Sequence, residues 1–333
     1  MKYLITFCCC VMTFFGSFKV ECQTLILADK ENGATYLSMD QFDGFYDKVN
    51  PLEIAIQLKD TALHEANVED ARAIYKASYE SEVLDIPAVI KEQLTTMFEE
   101  MFQKCNALND ELLPDTIQLI MVAGNHYGAS TFFTRGNAIA FTEQSIKMMP
   151  EKSFKHVMYH ELFHIISRYR HDLRDQLYQL VGFEHLDGPI WIDKSLYSRL
   201  LYNPDGVSME HGIPLMMPDS TTSYFIPVIA ANDNQYRPNK KEFFSYLDFK
   251  LYPVRETESG YFMSTFEEAN KMPVAHIMKK FFERITMNTQ YIIHPDEILA
   301  DNFMYLFRTE EENAELDQAL LKNIKTTIET YNN

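Results

Sequence analysis

The chain has 333 residues, of which 46% are hydrophobic and 23% charged, a balance that excludes collagen-like, mucin-like and wholly disordered classes. With 30 Lys and Arg against 48 Asp and Glu, the formal charge of −18 repels phosphate backbones and anionic lipid heads, which argues against nucleic-acid and membrane-surface partners. The 11 Gly and 13 Pro form no low-complexity linker, and the length suits one large or two closely joined domains.

Met1-Lys2 is followed by a nearly uncharged run, Tyr3 to Phe18, which at about 16 residues is short of the roughly 20 that a spanning helix needs. Polar Lys19, Glu21, Gln23 and Thr24 follow at once. Residues 1–22 are therefore expected to be a cleaved secretory leader, giving a secreted or periplasmic protein that starts at Gln23. A lipid anchor on Cys22 is the less favoured alternative, because Lys19-Val20-Glu21 stands where small residues are needed. Cys8, Cys9, Cys10 and Cys22 leave with the leader. Cys105, among Phe98, Met101, Phe102 and Leu108 at helical spacing, reads as a packed thiol with no disulfide partner. No later segment reaches membrane-spanning length.

From Thr24 to Lys59 the pattern is short and mixed, and strands with loops are expected. Thr61 to Glu80 and Ile86 to Leu108 carry apolar residues at three- and four-residue spacing and predict amphipathic helices. Thr116 to Val122 predicts a strand, and Thr131 to Thr134 and Ala138 to Thr142 flank Arg135-Gly136-Asn137 as a hairpin. A helix follows from Glu151 to Tyr169. On its wheel Phe154, Met158, Leu162, Ile165 and Tyr169 cluster within about 80°, at about 100° per residue. His160 and His164 lie on the opposite face, near His156. Beyond it, Asp172 to Val181 predicts a helix, Tyr224 to Ala231 and Phe243 to Val254 strands, and Pro273 to Ile285 a helix opening on its proline. The aromatic run Phe243 to Phe249 alternates like a strand packed into a core. Two helices close the chain, from Pro295 and over Leu316 to Tyr331.

The chemistry is concentrated in His160-Glu161-Leu162-Phe163-His164, an HExxH motif. Residues four apart on a helix are about 40° apart in azimuth and one turn along, so both imidazoles can reach one ion, and zinc is the ion this motif favours. Glu161 is rotated about 100° from His160, out of the ligand direction but within reach of a water on the metal, the position of a general base. A catalytic zinc wants a third protein ligand. Ser167 and Arg170 stand where a metzincin needs Gly and His. The remaining candidates lie between Tyr291 and Phe303, where Pro295 and Asp296 mark a helix start and Glu297 and Asp301 share one helical face. His294 reads either as the cap of that helix or as a ligand competing with Glu297. His64, His126, His171, His185, His211 and His276 have no partner spacing and read as ordinary surface or core residues.

His160-Glu161-Leu162-Phe163-His164 followed by Glu297-Ile-Leu-Ala-Asp301 resembles the gluzincins, the thermolysin-like class of zinc metallopeptidases. The resemblance covers about 25 residues in two patches. It implies that Glu297 is the third zinc ligand and that Asp301 steadies a ligand histidine. It also implies a zincin-like α+β fold: an N-terminal lobe, 23–170, with a small sheet and the HExxH helix, and a mostly helical C-terminal lobe, 171–333. The distance of about 130 residues from His164 to Glu297 makes 171–290 an inserted, β-containing region. The strand Ala138 to Glu143 would be the edge strand offered to a substrate backbone. The class carries a histidine downstream of the ligand glutamate to stabilise the oxyanion. None follows His294 here, so Tyr291 is the candidate for that task, a core tyrosine being the other reading. The function implied is an exported zinc peptidase with one Zn2+ per chain and a peptide or protein substrate. The alternatives are a zinc hydrolase of a non-peptide amide and a non-catalytic exported protein that keeps a metal for stability.

Overall fold

The computed structural model describes residues 23–39, 44–206 and 208–332, so the expected leader, 1–22, lies outside the described residues. The first sheet is built on β1 (Thr24–Leu27), β2 (Val83–Leu84), β3 (Thr116–Val122), β4 (Phe132–Arg135) and β5 (Ala138–Thr142). Its order is β1-β3-β5-β4, parallel from β1 to β5, with β4 antiparallel to β5 and β2 antiparallel to β3. Side chains of a strand alternate between its two faces, and both faces here are covered. Ile117, Leu119 and Met121 of β3 join Ile139 and Phe141 of β5 in one core, while Ile120, Val122, Ala138 and Ala140 enter another. That explains why the β3 sequence is almost uninterruptedly apolar.

On the first of these faces lie α1 (Ala88–Leu108) and α2 (Glu151–Tyr169), with α3 (His171–Leu180), α4 (Pro295–Tyr305) and α5 (Gln318–Glu329) stacked outside α2. Phe154 of α2 meets Phe132 and Phe141 edge-on, at ring centroid distances of 5.7 and 5.9 Å, which seats this end of the helix on the sheet. The opposite face of the sheet is covered by the helices Lys30–Ser38, Pro51–Leu58 and Val68–Glu82. Cys105 is a buried thiol, as expected.

The region 171–290, read in the sequence as inserted, carries a second sheet, β6 (Glu184–His185), β7 (Ile190–Trp191), β8 (His211–Met216), β9 (Thr222–Ala231), β10 (Leu247–Thr257) and β11 (Gly260–Met263). Its order is β6-β8-β9-β10-β11-β7, antiparallel except where β11 meets β7. Gly260 follows the turn between β10 and β11 with φ +126, and a Cβ there would lie 2.5 Å from the Pro189 carbonyl oxygen, so only glycine lets β7 dock. The chain is thus a mixed α and β protein with separate sheets, consistent with the α+β expectation. Among the described residues no helix is long and apolar enough to cross a membrane.

Three local expectations are corrected. The segment 24–59 is largely helical after β1, with Lys30–Ser38, Phe45–Lys48 and Pro51–Leu58. The first of these hides a glycine, Gly33, whose missing side chain lets the helix approach Ile120, where a Cβ would lie 2.9 Å away. Phe243–Tyr246 is a 3-10 turn with β10 beginning only at Leu247, and Phe244 is 54% exposed. β5 is no edge strand: it lies between β3 and β4 and is buried throughout.

The first lobe is tied to the inserted region through Asn50 and Glu53. Asn50 Oδ1 caps the helix Pro51–Leu58 by accepting from Glu53 N at 3.0 Å, while its Nδ2 donates to the Leu200 carbonyl at 2.8 Å. Glu53 in turn accepts from Tyr202 N at 3.0 Å. On its other side the segment is bound to β9, Leu201 N donating to Ile229 O at 3.0 Å. Asn50→Ala removes a cap and strands a buried carbonyl, so urea denaturation should show a loss of about 2 kcal/mol or more.

Candidate metal centre

The middle of the polar face of α2 packs against α4, on which Ala300 is fully buried. His160, Glu161, His164 and Glu297 are buried between them. His160 Nδ1 faces Asp301 Oδ1 at 2.9 Å, and His164 Nδ1 faces Asp296 Oδ2 at 2.6 Å. Both Nε2 atoms are thereby turned toward one atom, Glu297 Oε2, at 3.0 Å from His160 and 3.5 Å from His164. Ligands about 2.0 to 2.2 Å from a shared ion at tetrahedral angles stand about 3.3 Å apart, so these separations are those of groups able to hold one ion.

The surroundings fix each group. Asn203, in the segment anchored by Asn50 and Glu53, donates its amide to Glu297 Oε1 and leaves Oε2 for the histidines. Tyr178 of α3 donates to Asp296 Oδ1 at 2.8 Å, and Thr289 donates to Asp301 Oδ2. His294 is the N-cap of α4, its Nδ1 accepting from Asp296 N at 3.1 Å while its Nε2 faces the Ser208 carbonyl at 2.8 Å. Both of its nitrogens are engaged away from the cluster. Of the two readings, the structure places it as the cap and Glu297 among the histidines.

Asp205, two residues after Asn203, forms an overlapping buried group with Glu161 and His164. Its Oδ1 accepts from the Thr134 hydroxyl at 2.6 Å, and Arg168 donates to the same hydroxyl at 3.1 Å. Among the described residues, Glu161 Oε2 is buried without a hydrogen-bond partner, and His164 Nε2 has only its 3.5 Å contact with Glu297 Oε2. A buried polar atom left unmatched costs free energy; a cation shared by His160, His164 and Glu297 would satisfy the imidazole, and a water beside it could satisfy Glu161. The donor set, two imidazoles with carboxylates on their far nitrogens and a third carboxylate, fits zinc, and the residues that would hold it are His160, His164 and Glu297.

Without an ion the cluster titrates as interlocked charges. Burial pulls the His160 imidazole down, but hydrogen bonds to Asp301 and Glu297 overcome it and lift the pKa to about 10. His164 is likewise opposed by burial yet raised, chiefly by the charge of Glu297. Burial pushes Glu297 up, and the two histidines more than reverse it, holding the carboxylate well below its usual range. Glu161 is pushed up to about 8 by burial and then by Asp205.

The cluster opens into a cleft of about 770 Å³. It is lined by the segment Gly128–Phe132, by Glu242, Phe244 and Tyr291 from beyond α2, and by His156 and Arg308. Tyr291 stacks on His160, rings 6.0 Å apart and 24° from parallel, and is 41% exposed, so it is no core tyrosine. The charge of Glu297, then burial, keeps its phenol protonated well above pH 10. Asn203, Asp205 and Thr289 were not singled out in the sequence, and Asp296 was seen only as a helix start. Family models, curated proteins and solved structures offer no match to this chain.

Glu297→Ala should lose the ion held between α2 and α4, and Asp301→Ala should weaken it roughly 10- to 100-fold in competition titrations with a chromophoric chelator. Because both imidazoles hold protons when no ion is bound, uptake must expel them. Apparent zinc affinity should therefore rise as the pH is raised from about 6 to about 8, with proton release measurable in a weakly buffered titration.

Proposed function

We propose that this chain is an exported zinc-dependent hydrolase of gluzincin type, with a zincin-like arrangement of its lobes and peptides as substrates. The observation that carries the reading is the convergence of both HExxH Nε2 atoms on Glu297 Oε2, each Nδ1 being backed by a carboxylate of α4. That is the donor set and the outer support a catalytic zinc requires. Export through residues 1–22 belongs to the same proposal and rests on their composition.

Zinc, held by His160, His164 and Glu297, would supply Lewis acidity toward a carbonyl and acidify water. Glu161 stands beside this position and lines the cleft, its buried Oε2 without a hydrogen-bond partner among the described residues. It takes a proton from the attacking water and returns it to the leaving amine, the two halves of general acid and base work on one carboxyl group. Asp205 and the two histidines set its proton affinity from opposite directions, and a divalent cation beside it favours the ionised, proton-accepting form. Tyr291 has a hydroxyl with no hydrogen-bond partner among the described residues, one ring away from His160, and donates to the oxygen that gains charge as the carbonyl is attacked. Asn203 keeps Glu297 oriented, which links the inserted region to the reaction centre.

Glu161→Gln should keep its zinc and melt like wild type, while hydrolysis of an unstructured protein such as casein falls about 10²- to 10⁴-fold. Comparable turnover in that variant with full zinc would show that the proton goes elsewhere. A wild type that holds zinc yet cleaves no peptide would favour a non-peptide amide substrate or a metal-stabilised binding protein. Tyr291→Phe should lower kcat about 10²-fold or more with little change in KM, whereas a merely structural tyrosine would leave kcat unchanged.

A further inference from the structure

The pairing of β6 with β8 sets His185 directly opposite His211, at the seam where α3 crosses the inserted sheet. Their rings stand 5.2 Å apart and near perpendicular. Asp175 of α3 reaches the same place, its Oδ1 3.0 Å from His211 Nε2. One ligand atom from each of the three lies within 4.8 Å of the others. We propose that Asp175, His185 and His211 form a second metal site, for zinc or another divalent ion that prefers nitrogen ligands, separate from the one between α2 and α4.

Several features support binding here. Two imidazoles and a carboxylate are a sufficient protein ligand set for zinc, and they come from three elements, α3, β6 and β8, of which the two strands are paired. The contact of His211 with Asp175, 3.0 Å, equals that of His160 with Glu297 and is close to the roughly 3.3 Å spacing of two ligands on one ion. His211 is buried and fixed, whereas His185 is an exposed side chain, 44% accessible, with room to close the remaining distance. Asp187, 99% accessible and 3.9 Å from the His185 ring nitrogen, stands where it can join as a fourth ligand or lower the local potential. Arg174 opposes the site by charge and donates to Asp175 Oδ1, the same oxygen that faces His211, so an ion bound there shares that oxygen with the guanidinium or displaces it.

The site also has a task. Tyr178, one turn along α3 from Asp175, lies edge-on to the His211 ring at 4.7 Å and donates to Asp296, the carboxylate behind His164. An ion joining α3 to the β6 and β8 strands therefore braces the helix that orients one histidine of the first centre. The role this gives the ion is structural. The inference stands on geometry independent of the HExxH cluster.

The test is a titration of the untagged, chelator-stripped chain with Zn2+ and Co2+, reading equivalents retained after gel filtration. Wild type should retain two. His185→Ala, a surface change that leaves folding intact, and His211→Asn should each retain one, and Glu297→Ala should retain one. Zinc should still raise the melting temperature of Glu297→Ala, and this shift should vanish when His185→Ala is added. One equivalent in wild type that survives His185→Ala and is lost in Glu297→Ala would overturn the second site and leave the first intact. One equivalent lost in His185→Ala but kept in Glu297→Ala would uphold the second site and refute the first.

Discussion

A glutamate carboxylate held out of water between two imidazoles is the constraint around which this chain is organised. Moving a carboxylate into a protein interior costs several kcal/mol even after relaxation, and hydrogen bonds to charged groups return about 1.5 to 3 kcal/mol each. Glu297 recovers that cost only with all its partners present: Asn203 on Oε1, His160 and His164 on Oε2. Each histidine in turn needs its own carboxylate, Asp301 or Asp296, and those need Thr289 and Tyr178. The packing of α2 on α4, the Tyr178 hydrogen bond from α3 and the position of Asn203 together complete this set. The weakest points of the set, the long 3.5 Å contact of His164 Nε2 with Glu297 and the unmatched Glu161 Oε2, are where a cation and a proton would be handled.

The same constraint gives the inserted region a reason to be rigid where it touches the first lobe. Asn50 and Glu53 hold Leu200 and Tyr202, and β9 holds Leu201 from the other side. The segment that emerges carries Asn203 to Glu297 and Asp205 to the neighbourhood of Glu161. Stability of the lobe junction and geometry of the site are therefore one property. Phe244 and Tyr291, by contrast, are partly exposed where they line the cleft.

Much of this was legible in the sequence, for identifiable reasons. α2 and β3 were read to the residue because their periods are long and unbroken, and the HExxH spacing is itself a statement about helix geometry. Glu297 and Asp301 could be found because they repeat that logic, four apart beside a proline that starts a helix. Asn203 and Asp205 lie in irregular chain, where no period exists and only the tertiary fold decides what a side chain touches. His185 and His211 were set aside for the same reason, since strand register, which a sequence does not print, is what pairs them. The interior place of β5 was misjudged by analogy with an edge strand, although its unbroken apolar run, Ala138 to Phe141, already suited a strand covered on both faces.

The central claim is that α2 and α4 share one ion, and anomalous scattering at the zinc edge from crystals of the zinc-loaded chain tests it most directly. The account predicts a peak between the helices, about 2.0 to 2.2 Å from His160 Nε2, His164 Nε2 and Glu297 Oε2, with Glu161 outside bonding distance. A chain fully loaded with zinc but showing no density between those three residues, or showing an ion held by Glu161 and Asp205 in place of His160 and Glu297, would contradict it.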